Sequence, residues 1–199
     1  DVCSSDLSSD GTEYAEVTAD DFVAGLQHAA DFSSGTIYLV QDLVVNFNAY
    51  LGGQVDFDQV GVKAVSKYEV QYTLVQPTPY FDTMTTYSIL YPVNRAFLES
   101  KGTGCKLGSP DIKECGFGTT DKDSIAYNGG FILTQNDSKS LIVETKNDAY
   151  WDADNVFVKT ATYIYDDGSD MYSVINGFEA GTYDAASLST SWADFNSYK

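Results

Sequence analysis

The sequence predicts an α+β fold, and three observations predict it. Helical and strand-like stretches follow one another irregularly rather than as a βαβ repeat, no internal repeat is present, and apolar residues are frequent enough to build a core. Of the 199 residues, 43% are apolar and 14% aromatic, which excludes a disordered chain and fits one large domain or two small ones.

The elements can be justified in order. Thr18 stands three residues ahead of Asp21 and just before Phe22, Val23 and Leu26. That is the spacing of a helix N-cap with acids in the first turn, where the helix dipole favours them, so a helix is predicted over about 19–30. In IYLVQDLVVNFNAYLGG the apolar residues at 37, 40, 43, 44, 47 and 51 share one face of a second helix, with Gly52 as its stop. VGVKAVSKYEVQYTLV reads as two strands, Val70, Tyr72 and Leu74 alternating after a short turn, and the prolines at 77 and 79 end the pattern.

Helices are predicted over Tyr80 to Ile89 and Val93 to Lys101, on either side of Pro92. GGFILTQNDSKSLIVETK reads as a hairpin with strands near 130–136 and 139–146, turning at Asp137 and Ser138, and NVFVKTATYIY as a further strand. The last helix lies in GSDMYSVINGFEAG, with Met171, Val174, Ile175 and Phe178 inward and Gly181 as the C-cap, followed by a short strand over Tyr183 to Ala185. SWADFNSYK reads as the start of another helix.

Eleven Lys and Arg against 29 Asp and Glu give a net charge of −18, which argues against nucleic acid and anionic membranes and is explained by solubility. No run of eighteen apolar residues spans a bilayer. The first seven residues, Asp1 to Leu7, spell DVCSSDL, one reading frame of a common sequencing-library adapter (GAC GTG TGC TCT TCC GAT CT), so they are read as an assembly scar and the chain as a fragment. Setting Cys3 aside leaves Cys105 and Cys115 in a Gly-rich loop. They are read as a local disulfide of an oxidising compartment, with two free thiols as the alternative.

Catalytic chemistry finds little support. The acid pairs Asp20 and Asp21, Asp152 and Asp154, and Asp166 and Asp167 suit caps and turns. A calcium loop counted from Asp152 would need Gly at position six and an acid at position twelve, and has Phe157 and Ile164 there. GFGTT lacks the Lys of a phosphate-binding loop, and the single histidine, His28, sits mid-helix beside no nucleophile elbow. No catalytic residue, metal site or cofactor is expected. Tyr150 and Trp151 are adjacent, so on an extended chain they point to opposite sides and one must face inward. A structural plug is preferred over a ligand platform, and Trp151 is expected to be buried.

Taken together, TADDFVAGLQHAAD, VDFDQVGVKAVSKYEVQYTLVQPTPYF, YPVNRAFLESKG, YNGGFILTQNDSKSLIVETKNDAYWDADNV and NGFEAGTYDAA resemble, in order and spacing, the family 5 extracellular solute-binding proteins, the oligopeptide-binding components of ABC importers. The resemblance covers nearly everything from Thr12 onward and is strongest to Gram-positive surface lipoproteins. It implies a partial periplasmic-binding-protein-like fold of type II: residues 8–93 from an additional domain of the larger lobe, residues 94–199 from the first lobe, and an opposite lobe elsewhere in the protein. It implies an oligopeptide ligand, ABC permease subunits as partners, a monomer, and an extracytoplasmic lipoprotein. Tyr38 and the stretch Ser187, Leu188 and Ser189 fall where the family contacts peptide, although AASLSTS departs from the more polar versions of that stretch. The resemblance also makes NDAYWDADNV a packed corner with an exposed acidic rim. Competing readings are an acidic secreted glycan-binding module or hydrolase using Trp151 and Trp192, and a surface peptide sensor or adhesin on the same scaffold.

Overall fold

The first predicted helix forms as α1, Ala19–Asp31, and the rest of the molecule is arranged around it. The computed structural model describes residues 5–170 and 172–187. At its start, Asp21 reaches back so that its Oδ2 accepts from the Thr18 backbone N–H at 2.6 Å and from the Thr18 hydroxyl at 3.0 Å. Two sides of α1 then enter two different cores. Leu26, Ala29 and Ala30 pack with Val40, Val44, Phe47, Val60 and Leu90, while Ala24 packs with Leu98, Cys105 and Leu107. Between those sides Gly25 lets the chain at Tyr91 to Val93 cross against the helix: a Cβ there would sit 2.2 Å from the Tyr91 carbonyl oxygen. The crossing is pinned by the Val93 N–H donating to the Asp21 carbonyl at 2.9 Å.

Seven strands make three antiparallel sheets among the described residues. Strands β1 (Ser5–Leu7) and β2 (Glu13–Glu16) pair, as do β3 (Val62–Ser66) and β4 (Glu69–Tyr72). Strands β5 (Phe131–Asp137), β6 (Leu141–Lys146) and β7 (Thr160–Ile164) form a three-stranded meander, with the β5–β6 turn at 138–140 carrying Lys139 at φ 54°. The β1–β2 pair was not legible in the sequence. It is tied to β5 through Leu7, which exchanges backbone hydrogen bonds of 2.7 and 2.9 Å with Tyr127 and packs with Tyr127 and Ile132.

The helix expected over 37–51 is replaced by a 3-10 turn, Ile37–Leu39, and a short helix α2, Phe47–Leu51. Its apolar period is nevertheless satisfied, because Val40, Val44 and Phe47 are all buried. The backbone between them is claimed by other partners: Val45 donates to the Thr73 carbonyl and accepts from Gly61, Val75 donates to Leu43, and Asn46 turns left-handed at φ 60°. Hydrogen bonds to a neighbouring hairpin thus outcompete the i to i+4 ladder that the side-chain pattern alone would favour.

A similar shortening affects 80–89, where α3 spans only Phe81–Met84 before a 3-10 turn at Ser88–Leu90. The hydroxyls of Thr85 and Thr86 donate back to the carbonyls of Asp82 and Thr83, an alternative to helix that threonine offers readily. After Pro92, α4 spans Arg95–Ser100 and is capped by Asn94, whose side chain accepts from the Phe97 N–H at 2.9 Å. The last helix, α5, spans Ser173–Glu179 and is followed by Gly181 at φ 72°. Ile175 is buried and Val174 half-buried, but Phe178 is 43% exposed, and Met171 lies outside the described residues. No strand forms over Tyr183 to Ala185; the Tyr183 ring lies against Gly177 instead. The helical reading of SWADFNSYK lies outside the described residues.

Candidate functional site

Tyr38 projects from the Ile37–Leu39 turn and is 68% exposed, although the nearby residues Val40 and Val44 are fully buried. A large aromatic side chain held out by a turn whose neighbours are anchored in the core is presented at a defined place on the surface, since little backbone freedom remains there. Ser187 is exposed in the coil after Tyr183. Leu188 and Ser189 lie outside the described residues.

The corner Asn147–Val156 is held differently from the sequence expectation. Trp151 is 56% exposed, so it is not the buried plug that the sequence predicts. The inward group is Asn147, 1% exposed: its Nδ2 donates to the Gly129 carbonyl at 2.9 Å, its Oδ1 accepts from the Ala149 N–H at 3.1 Å, and its own N–H donates to Gly130 at 2.8 Å. Tyr150 packs half-buried over Gly130, which with Val156 fills the space a Cβ would need. The chain turns here rather than running extended, so the alternation that would have sent one of the two rings inward never applies. Trp151 instead leans on Tyr150, ring centroids 5.5 Å apart. An Asn bonding to the backbone two residues on is an Asx signal that the sequence did contain.

His28 and several of the acids in the sequence pairs are engaged in packing and turns. His28 is wedged between the rings of Phe32 and Phe117, at 4.6 and 5.1 Å, with Nδ1 buried and unpaired. Burial lowers its pKa, partly opposed by Asp31, so the ring behaves as a neutral packing group. Asp166 and Asp167 accept from the N–H groups of Gly168 and Ser169 in consecutive turns, and Asp152 accepts from the Asn155 amide. No group of three or more metal-ligating residues occurs among the described residues.

Cys105 and Cys115 are joined by a disulfide, which closes the Gly-rich loop after α4. Cys105 and Leu107 press this loop into the core shared with Ala24 and Leu98. Asp31, at the end of α1, ties it down: its carboxylate accepts from the Gly108 N–H at 2.6 Å and from the Tyr50 hydroxyl. Gly102 and Gly104 permit the tight crossing, since a Cβ on either would lie 2.4 or 2.2 Å from the carbonyl oxygens of Glu114 or Asp111.

The sequence profile of the bacterial extracellular solute-binding proteins, family 5 (middle) matches residues 9–198, and the chain belongs to that family. The oligopeptide-binding protein AliB of Streptococcus pneumoniae is 48% identical over 183 residues, 92% of this chain and 26% of the relative. The oligopeptide-binding protein SarA of Streptococcus gordonii is 44% identical over 190 residues, 95% of this chain and 27% of the relative. The chain therefore spans about a quarter of the length of the curated relatives it matches. Among solved structures, the pheromone receptor PrgZ superposes with a TM-score of 0.75 at 24% identity, covering 98% of this chain and 35% of that one. OppA of Listeria monocytogenes bound to peptide gives 0.71 at 24% identity over 96% and 35%. The fold is thus a portion of the periplasmic peptide-binding-protein fold, α+β as the element order predicts.

Proposed function

We propose that this chain is part of the substrate-binding component of an ABC importer, one that captures oligopeptides outside the cytoplasm and delivers them to membrane permease subunits. The observation that carries the reading is the 48% identity to an oligopeptide-binding protein, sustained over 183 residues. In this reading residues 8–93 belong to an additional domain of the larger lobe and residues 94–199 to the first lobe, with α1 and the disulfide loop at their junction. The protein works as a monomer anchored to the cell surface as a lipoprotein, and it needs no catalytic group or cofactor.

Peptide is held mainly through its backbone, as an added strand, with side chains left to roomy, hydrated pockets. Tyr38 meets the ligand as a rigid aromatic, and the stretch from Ser187 to Ser189 supplies a second contact. Closure is a hinge motion, and its equilibrium shifts only because peptide touches both lobes. One lobe alone binds weakly for that reason.

Calorimetric titration of the full-length protein with mixed oligopeptides and, separately, with oligosaccharides tests the ligand class. Heat from peptides, lowered by Tyr38→Ala about tenfold or more in affinity, is the expected result. Heat confined to oligosaccharides would transfer the protein to the glycan-binding class.

A further inference from the structure

His28, the single histidine of the sequence, stands where α1 meets the disulfide loop. Phe32, the residue that ends α1, lies on one side of its ring, and Phe117, two residues past Cys115, lies on the other. The loop holds α1 at two further points. Ala24 packs with Cys105 and Leu107, and the Gly108 N–H donates to the Asp31 carboxylate at 2.6 Å.

The His28 ring is half-buried, and its Nδ1 is buried with no hydrogen-bond partner. A neutral imidazole tolerates that position, because with the ring proton on Nε2 the buried nitrogen carries only a lone pair. An imidazolium carries hydrogen on both nitrogens, so Nδ1–H becomes a buried donor without an acceptor. The charged groups at this junction come from three directions. On α1 itself, Asp31 favours the proton, but its carboxylate already accepts from Gly108 and from the Tyr50 hydroxyl of α2. From α4, Arg95 donates to Gln27, the residue beside His28, and pairs with Glu99, which accepts from the Leu107 N–H. Lys101 lies over the Phe97 ring, which in turn meets Phe117.

We propose that His28 is an acid-operated release for the disulfide loop: its protonation loosens the loop from α1 while the larger core stays folded. Burial lowers the pKa of the docked ring from its ordinary 6.5, with Asp31 opposing, so the docked loop takes up a proton less readily than the released one. The neutral ring therefore supports docking fully above about 6.5, and that support is lost as pH falls through the lower docked value. One proton changes the docking equilibrium by at most about tenfold per pH unit.

Amide hydrogen exchange in the full-length protein at pH 7 and pH 5, corrected for intrinsic rates, tests this. The Gly108 amide reports docking, and the Val45 amide, bonded to the Thr73 carbonyl beside the larger core, reports the rest of the fold. Between pH 7 and pH 5 the protection of Gly108 should fall by about threefold to a hundredfold relative to Val45. His28→Phe and His28→Gln cannot titrate there, and whichever of them folds should show a change under about twofold. Protection at Gly108 that stays level or rises on acidification overturns the proposal. So does an equal fall in the His28 variants, which would assign the proton to Asp31 or Glu99, or an equal fall at Val45, which would mean global unfolding.

Discussion

Replacing Gly25 by alanine sets two physical effects against each other, and the structure decides the sign. Gly25 lies inside α1, where glycine costs about 1 kcal/mol relative to alanine, so helix propensity alone makes Gly25→Ala stabilising by up to that amount. In the folded protein the new Cβ would stand 2.2 Å from the Tyr91 carbonyl oxygen and 3.3 Å from the Val93 nitrogen. Those are backbone atoms, so no rotamer change relieves the clash. The crossing segment must move by about 1 Å to restore van der Waals contact. That shift strains the 2.9 Å bond from the Val93 N–H to the Asp21 carbonyl, worth about 1 kcal/mol, and overpacking adds about 1–3 kcal/mol. The net expectation is destabilisation by about 1–3 kcal/mol, read as a lower midpoint in urea with an unchanged slope. Gly35→Ala, where an added Cβ meets no heavy atom within 4 Å, should change the midpoint little and serves as the control. A midpoint for Gly25→Ala equal to or above the parent would refute the argument that the Tyr91 to Val93 crossing sets the packing of α1.

Other outcomes follow from the same structure. Phe47→Ala, at a fully buried position in the larger core, should cost about 3–5 kcal/mol in chemical denaturation, whereas Trp151→Ala, more than half exposed, should stay within about 1 kcal/mol. Asn147→Ala leaves the Gly129 carbonyl and the Ala149 N–H without their side-chain partner and should cost about 1–3 kcal/mol, exceeding the effect at Trp151. Asp6 ionises less readily folded, at about 6, than unfolded, at 3.8, so its contribution to stability is a penalty that grows as pH rises from about 4 through 6 and is relieved as pH falls. Stability of the parent relative to Asp6→Asn should therefore improve as pH falls from 7 to 4, and a constant difference would count against a carboxylate whose Oδ2 is buried without a partner. Of the three cysteines, unfolding without reductant should expose one titratable thiol, Cys3, and unfolding with reductant three. Reduction should lower stability by about 2–4 kcal/mol.

The particular elements show what each level of description supplied. Helix α1 was readable because its signals are local: Thr18 and Asp21 at capping distance and an apolar face behind them. The β5–β6 hairpin was readable from two apolar runs on either side of a polar turn. The apolar set at 40, 44 and 47 was correctly inward even though its helix was broken, because burial follows side-chain chemistry while backbone conformation follows hydrogen-bond partners. Sequence also carried the family, through five motifs in order; the proposal of Tyr38 as a contact residue comes from that resemblance rather than from any local pattern.

Tertiary structure alone decided how the polar and small residues were spent. Thr73 and Gly61 are far from Val45 in sequence, and only their arrival converts a helical pattern into a bridged turn. Trp151 has every compositional mark of a core residue, yet an Asn four positions earlier takes the interior because its amide satisfies carbonyl and N–H groups that an indole ring could not. The same holds for Asp6, whose burial beside Asp21 is invisible until β1 has paired with β2 in the folded chain. Local sequence fixes which segments prefer helix or strand and which faces shun water, since those preferences are short-range. Which buried polar atom finds a partner, and which finds none, depends on contacts between segments distant in sequence and is settled only when the chain is folded.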